Sequence, residues 1–224
     1  SNMRLVYESE VFLPIVRRLK KEEVNEDGTE LDLEVRSNFS ILMKKDLQKI
    51  IYLNNSLPNC YKNVKGFTLG KNNPGFIFIS SKGHLKKNDL INRLLVDHSI
   101  KPSNIIFLGQ HVLSKAEKDF IMGNKLHYFS MKEISMEGAY EVSESIMNLC
   151  RNFSDLYILI DSEVLDYTVV KSSWAGGLTV RELLFFIHRL KRMDNLRTFE
   201  LVISPLLARV AVKLLAEMYV PENQ

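Results

Sequence analysis

Residues 157–182 read YILIDSEVLDYTVVKSSWAGGLTVRE, and this stretch decides the fold. An apolar run ends in Asp161, Glu163 follows two positions later, and a Gly-Gly turn leads into a helical pattern. Carboxylates at positions i and i+2 after a buried strand can converge on a divalent metal at the carboxyl edge of a parallel sheet. The stretch therefore predicts a strand, then a loop with two candidate metal ligands, then a helix.

Outside this stretch, short apolar runs alternate with helical patterns. The runs that are predicted to form strands are Lys49–Leu53, Gly75–Ser80, Asn104–Leu108, Leu126–Phe129, Asp155–Ile160 and Phe199–Ile203. Continuous apolar runs separated by helices are typical of a parallel sheet that is covered on both faces. The sequence therefore predicts an α/β fold with a three-layer, doubly wound and mainly parallel sheet, and we expect residues 1–224 to form a single domain.

The predicted helices have recognisable start signals. A Ser or Thr followed three residues later by Glu predicts a capping box, and such pairs occur at Ser114 and Glu117, Ser130 and Glu133, and Thr179 and Glu182. Helical patterns also cover Asp89–Val96, Ala139–Arg151 and Glu182–Lys191. Pro205 follows Ser204 and suits the first position of a last helix.

Composition argues against several classes of protein. The net charge of +3 gives no strong nucleic-acid footprint, and no apolar run reaches the roughly 18 residues that a membrane span needs. Cys60 and Cys150 lie far apart and suggest no disulfide framework, so a reducing compartment is expected. We therefore expect a soluble cytoplasmic protein that binds neither nucleic acid nor a membrane.

Two segments near the N-terminus are set apart from the fold. Residues 1–2, Ser-Asn before Met3, resemble a cloning remnant. Residues 21–37, KEEVNEDGTELDLEVRS, are acidic and contain Asp-Gly. This composition predicts an acidic loop or a mobile segment, with a hairpin as the alternative.

Several motifs resemble one enzyme family. Residues 158–166, ILIDSEVLD, are similar to the SFDVDxLDP motif of the arginase, agmatinase and formiminoglutamase family, and residues 174–182, WAGGLTVRE, are similar to its PGGLTxRE motif. Between about Asn104 and Pro205, the segments NIIFLGQHVLSKAEKDF, LHYFSMKEI and LVISPLLA also resemble that family. The resemblance implies a doubly wound α/β fold and, for the family, ureohydrolase activity at a binuclear Mn²⁺ site that is held mostly by carboxylates.

The N-terminal half tests this resemblance, because the family takes its remaining metal ligands from the motifs GGDHS and DAHxD. The best match to the first motif is YLNNSLP, which puts Asn55 and Ser56 in the Asp and His positions. The best match to the second is SSKGH, which puts Ser80, Lys82 and His84 where Asp, His and Asp would stand. Most of these ligand positions are therefore degenerate.

The acidic residue of the family's last strand falls near Val202, so only Asp161 and Glu163 remain in register as a vestigial metal site. Serine is a poor ligand for Mn²⁺, and Lys82 brings a positive charge to a cation site. One hypothesis is that Lys82 pairs with Asp161 or Glu163 in place of a metal, which would offset the cost of two buried carboxylates. The alternative is that both acids are ordinary strand-end residues that cap a helix or face solvent.

The resemblance and the missing ligands together favour a catalytically inactive family member. It would have no catalytic residues and no cofactor, and it would act structurally or by regulation, through self-association or through contacts with an active arginase-like relative. Two alternatives remain. The chain could be a divergent hydrolase of guanidino or amidino bonds with Mn²⁺ on Asp161, Glu163 and His84, or a small-molecule binding module with Lys82 as an anion contact. A third ligand that converges on the two carboxylates would favour the hydrolase.

Overall fold

The computed structural model describes residues 3–7, 10–22, 32–35, 49–171 and 175–219. Within them, eight strands form one sheet: β1 (Met3–Tyr7), β2 (Asp32–Val35), β3 (Lys49–Asn54), β4 (Pro74–Ile79), β5 (Ile105–Leu108), β6 (His127–Phe129), β7 (Asp155–Asp161) and β8 (Leu196–Val202). The strand order is β2-β1-β3-β8-β7-β4-β5-β6, and every pairing is parallel. The predicted α/β fold with a parallel sheet is therefore confirmed.

Helices cover both faces of this sheet. They are α1 (Leu13–Glu22), α2 (Leu57–Thr68), α3 (Leu90–Val96), α4 (Lys115–Gly123), α5 (Met131–Glu137), α6 (Ala139–Cys150), α7 (Tyr167–Val170), α8 (Val180–Leu190) and α9 (Ala208–Tyr219). Helices α1, α5, α6, α8 and α9 contribute to one apolar core, and α2, α3 and α4 contribute to the other. The predicted three-layer arrangement follows from these two cores.

Strand β4 shows why the predicted strands read as continuous apolar runs. Ile77 and Ile79 belong to the core under α8 and α9, whereas Phe76 and Phe78 belong to the core under α2 and α3. Successive side chains of a strand point to opposite faces, so a strand that is buried on both faces needs apolar residues at every position.

The three predicted capping boxes are all present. Ser114, Ser130 and Thr179 each accept a hydrogen bond from the backbone three residues later, and the Glu at that position reaches back to the cap residue. These boxes begin α4, α5 and α8. Each box therefore satisfies two backbone N–H groups that would otherwise have no partner at the start of its helix.

The predicted acidic loop over residues 21–37 is wrong in part. Lys21 and Glu22 end α1, and Asp32–Val35 forms β2 at one edge of the sheet. Residues 23–31 and 36–37 lie outside the described residues. Apolar and acidic residues alternate in β2, which is typical of an edge strand, and β1 supplies its parallel partner.

The sequence patterns also did not predict β1, α1 and α2. Helix α2 buries Cys60, Val64 and Phe67, which are spaced four and three residues apart. This spacing places them on one helical face, but Asn and Gly residues of low helix propensity lie between them. The apolar face decides the outcome because it packs on the sheet. In the part of the chain that is described, no helix has the length and apolar character to cross a membrane.

Candidate functional site

Four residues form a row across the carboxyl edge of the sheet. Asn54 ends β3 and pairs with Val202 at the end of β8, and Val202 pairs with Asp161 at the end of β7. Ser80 follows β4, whose Ile79 pairs with Ile160 just before Asp161, so Ser80 extends the row. The strands are parallel, and their carboxyl ends therefore meet at one edge, where ligands bind in open α/β sheets.

Asp161 is the carboxylate of this row. Its side chain is 5% exposed, and its Oδ2 accepts a hydrogen bond of 2.8 Å from the Ser80 hydroxyl. Its Oδ1 accepts a bond of 3.1 Å from the backbone N–H of Glu163. Burial raises the pKa of Asp161 to about 6, although these hydrogen bonds oppose the shift. The carboxyl group is held by the turn that follows it.

Glu163 makes a different contact, although it lies only two residues from Asp161. Its Oε2 is 3.2 Å from Nζ of Lys82, and the two side chains are 51% and 41% exposed. Of the two contacts that the sequence suggested for Lys82, the structure has the one with Glu163. An ion pair this exposed contributes little to stability.

His84 lies beside these residues in a strained backbone conformation. Its φ of 51° is in the left-handed region, and its ring meets the edge of the Phe78 ring with centroids 5.6 Å apart. Its Nε2 is 3.9 Å from Oδ2 of Asp161, too far for a hydrogen bond. Burial lowers the pKa of His84, so the ring is neutral at physiological pH.

These residues do not fit a two-metal centre. Manganese binds carboxylate, imidazole and carbonyl ligands, whereas the row offers one carboxylate beside a hydroxyl, an amide and a valine side chain. Among the described residues, no three His, Cys, Asp or Glu side chains are grouped so that they could hold a metal ion. Asp161, Glu163 and His84 are all described and form no such group.

The sequence placed the first degenerate motif at Asn55 and Ser56, but the residue in the row is Asn54. Asn55 is exposed in the turn after β3, and Ser56 is the N-cap position of α2. The backbone N–H of Ser56 donates to Oδ1 of Asn54 at 3.1 Å. The side chain of Asn54 is therefore held at the edge of the sheet while its two neighbours lead into the helix.

Sequence reasoning missed the buried acid of β8, which is Glu200, two residues before Val202. Glu200 is 0% exposed. Its Oε1 accepts hydrogen bonds from Nδ2 of Asn63 at 2.7 Å and Nδ2 of Asn54 at 3.4 Å. Its Oε2 accepts a hydrogen bond from the Tyr157 hydroxyl. An acidic residue within the predicted apolar run Phe199–Ile203 was the available signal.

Glu200 is one layer below the row. It pairs with Tyr52 of β3 and Leu159 of β7, and it lies on the same face of the sheet as Val202. Burial raises the pKa of Glu200, and the hydrogen bonds from its side-chain donors oppose that shift. The site thus contains two buried carboxyl groups at different depths.

The Gly-Gly turn packs against the loop that carries Asp161. A Cβ atom at Gly177 would lie 2.4 Å from the carbonyl oxygen of Val164, so only glycine fits there. The N–H of Leu178 donates to this oxygen at 2.8 Å, and the N–H of Asp166 donates to the Leu178 carbonyl at 2.9 Å. Asp166 also accepts a bond of 2.9 Å from the backbone N–H of the first glycine, which makes it part of the turn.

Sequence comparison matches most of the chain to one protein family. The family model described as "Arginase family" matches residues 71–219. An arginase of Staphylococcus aureus (strain MRSA252) is 31% identical over 114 residues, which are 48% of this chain and 38% of that protein. The matched segment therefore spans well under half the length of that curated relative.

Structure comparison extends the likeness over the whole chain. A crystal structure of arginase from Bacillus cereus superposes with a TM-score of 0.83 at 16% identity and covers 100% of both chains. The formimidoylglutamase of Bacillus subtilis gives a TM-score of 0.82 at 17% identity, with 97% of this chain and 86% of that one covered. At these identities the likeness establishes the fold.

Proposed function

The chain belongs to the arginase family, and we propose that it is a member without a binuclear manganese centre and without ureohydrolase activity. Its role is structural or regulatory and is exercised through contacts with other proteins. The observation that carries this proposal is the composition of the row at the carboxyl edge, where Asn54, Val202 and Ser80 accompany the single carboxylate of Asp161.

The chemistry of the family explains why this row matters. Two metal ions held by carboxylates lower the pKa of a bound water and so create hydroxide near neutral pH. In this chain Oδ2 of Asp161 accepts a hydrogen bond from Ser80, and the Glu163 carboxylate pairs with the ammonium group of Lys82. Neither arrangement leaves carboxylate oxygens directed at a common cation. This geometry supports the proposal.

The two alternative functions have less support. A single metal on Asp161, Glu163 and His84 would need the three side chains to converge, but Glu163 contacts Lys82 and His84 is 3.9 Å from Asp161. An anionic small molecule would have to compete with Glu163 for Lys82 and to approach the carboxyl group of Asp161.

Metal content is the deciding measurement. The protein is incubated with Mn²⁺, desalted and analysed by inductively coupled plasma mass spectrometry, and we expect a stoichiometry near zero. A variant with Ser80→Asp, Lys82→His and His84→Asp tests whether carboxylate and imidazole ligands restore metal binding. The Bacillus cereus arginase serves as the positive control. One or two tightly bound ions per wild-type chain would overturn the proposal.

Activity and assembly give independent checks. We expect no hydrolysis of arginine, agmatine or formiminoglutamate by the Mn²⁺-treated protein under conditions in which the control arginase is active. Sedimentation velocity and co-purification then test for self-association or for a complex with an active arginase-like relative. A monomer that co-purifies with no protein would contradict the role through protein contacts.

A further inference from the structure

One helical surface of the protein carries charge of a single sign. Helix α9 packs between α1 and α8 in one layer. Among the described side chains of these three helices, every charged residue that is exposed is basic: Arg17, Arg181, Arg209 and Lys213. We call these four residues the basic face.

The cations of the basic face have no carboxylate partners within the described residues, where no ion pair or hydrogen bond involves their side chains. The two acids of these helices whose side chains are described already have partners. Glu182 closes the capping box of α8, and Glu217 accepts from Lys191 at 2.8 Å and from His188 at 3.0 Å. Within the described residues, no carboxylate therefore neutralises the basic face.

Large apolar side chains lie at one end of the basic face. Leu206 lies two residues before the start of α9 and is 93% exposed, and Val11 lies two residues before α1 and is 50% exposed. Helices α1 and α9 pack along each other and both begin at the carboxyl edge of the sheet, which puts these two residues at the same end of the helix pair. Exposed aliphatic groups next to arginines are typical of protein interfaces.

The single sign of charge is a property of this surface and not of the whole chain. Helix α6, which packs on α8, has no basic residue and exposes Glu141. On the opposite face of the sheet, α4 exposes Asp119 together with Lys115 and Lys118. The net charge of the chain is only +3. The uniform sign of the basic face is therefore not the result of a large overall excess of positive charge.

We propose that the basic face binds an acidic segment of another protein, with an apolar side chain of that segment covering Leu206. This inference rests on the proposed function and names the surface and the chemistry of its partner. Guanidinium groups match carboxylates through paired hydrogen bonds, and three of the four cations are arginines.

Other occupants fit the face less well. Two copies that meet through this face would bring like charges together. The neighbouring helix α6 offers only Glu141 as an exposed acid against four cations, because its Glu144 pairs with Arg189 of α8. Nucleic acid would pair with the cations but would leave Leu206 without an apolar contact. A membrane surface would require a longer apolar stripe than Leu206 and Val11 provide.

Photo-crosslinking in the full-length protein tests the proposal. The photoreactive residue p-benzoylphenylalanine is placed at position 206 and, as a control, at Lys118 on the opposite layer. From position 206 we expect crosslinks to a segment rich in Asp and Glu of a different protein. With that purified partner, the variant Arg209→Glu with Lys213→Glu should bind roughly tenfold more weakly, and Lys118→Glu should bind as wild type.

The possible outcomes separate this inference from the proposed function. Crosslinks only to lipid, to nucleic acid or to a second copy, or no crosslinks from position 206, would overturn it. An affinity that the double charge reversal does not change would also overturn it. The unfolding temperature of the double variant should match wild type, because both side chains are exposed. Bound manganese in the wild-type chain would instead count against the proposed function alone.

Discussion

Asp161 and Glu200 are two buried carboxyl groups on neighbouring strands. Asp161 lies at the carboxyl edge of the sheet, whereas Glu200 lies one layer below it, and the two groups have different hydrogen-bond partners. Both face the core under α2 and α3, and burial raises the pKa of both. Asp161 is bound by Ser80 and by the backbone of its own turn. The donors to Glu200 come from β3, α2 and β7.

This difference shows that depth in the sheet decides the role of a carboxyl group. Glu200 lies below the row and ties a helix and two strands together through Asn63, Asn54 and Tyr157. Asp161 ends a strand and holds only the local loop and the neighbouring serine. Loss of Glu200 should therefore disturb the fold, whereas loss of Asp161 should change its response to pH.

The largest expected effect is on Glu200. Glu200→Ala removes the acceptor of the buried Tyr157 hydroxyl and the strongest acceptors of the buried Asn54 and half-buried Asn63 amides, and we expect the free energy of unfolding to fall by about 3–5 kcal/mol. Glu200→Gln keeps one acceptor oxygen and should cost about 1–2 kcal/mol. Urea denaturation at pH 7 measures both.

The control for this prediction is Glu137→Ala, since Glu137 is exposed at the end of α5 and its loss should change stability by less than about 0.5 kcal/mol. Equal losses for Glu200→Ala and Glu200→Gln would contradict this prediction, because they would show that the retained shape and single acceptor oxygen of Gln give no benefit and that both carboxylate oxygens are needed.

The second effect is the pH dependence that Asp161 introduces. Its pKa rises from 3.8 to about 6 on folding, so between about pH 4 and pH 6 the folded state binds more protons than the unfolded state. Stability therefore falls as the pH rises through that window, by about 3 kcal/mol for two pKa units. Asp161→Asn should remove this part of the profile.

Urea denaturation of wild type and Asp161→Asn from pH 4 to pH 7.5 gives the difference profile, in which the contributions of other groups cancel. Asp119→Asn, which removes an exposed carboxyl group from α4, is the matched control. Parallel profiles for wild type and Asp161→Asn would mean that Asp161 titrates alike in the folded and unfolded chains.

The third prediction concerns the turn that supports the loop of Asp161. Gly177→Ala would place a Cβ atom 2.4 Å from the Val164 carbonyl oxygen and should cost about 1–3 kcal/mol, since backbone must move. Gly123→Ala is the control, because nothing lies within 4 Å of a Cβ there and α4 should be slightly stabilised. Thermal unfolding measures both. A tolerated Gly177→Ala would mean that the turn does not hold the loop.

The sequence predicted the parts of this molecule whose signals are local. The continuous apolar runs of β4 and β7 required burial on both faces, and the structure has it. The capping box of Thr179 and Glu182 depends on residues three positions apart, and the structure contains it. Such features need no knowledge of the rest of the chain.

The features that the sequence did not predict depend on residues that are far apart in the chain. The donors to Glu200 lie 43, 137 and 146 positions away, so the sequence shows an acid in this strand but not the residues that bind it. Asn54 enters the row because it is the last residue of β3, whereas Asn55 already lies in the turn that follows, and the sequence did not show where the strand ends. Acidic β2 becomes a strand because β1 pairs with it.

The smallest expected effect is at Lys82, which lies beside Asp161 and is not among the hydrogen-bond donors to Glu200. Lys82→Met removes the exposed ion pair with Glu163 and should lower stability by only about 0.2–1 kcal/mol, a difference that disappears in about 1 M salt. Lys87→Met, an exposed lysine of the same loop, is the control. Urea denaturation at low and high salt measures both.

Lys82→Met also sharpens the comparison between the two carboxyl groups, because the ammonium group of Lys82 lowers the pKa of Asp161 and is not among the main groups that shift Glu200. Its loss should raise the pKa of Asp161 further and widen the pH window over which stability falls. In the Asp161→Asn background the same substitution should no longer have this effect, and only its effect on His84, whose pKa the charge of Lys82 also lowers, should remain. A fall of more than about 2 kcal/mol in the free energy of unfolding at pH 7 would instead identify Lys82 as a buried counter-ion. The residues around Asp161 would then contribute to stability in the way that those around Glu200 do.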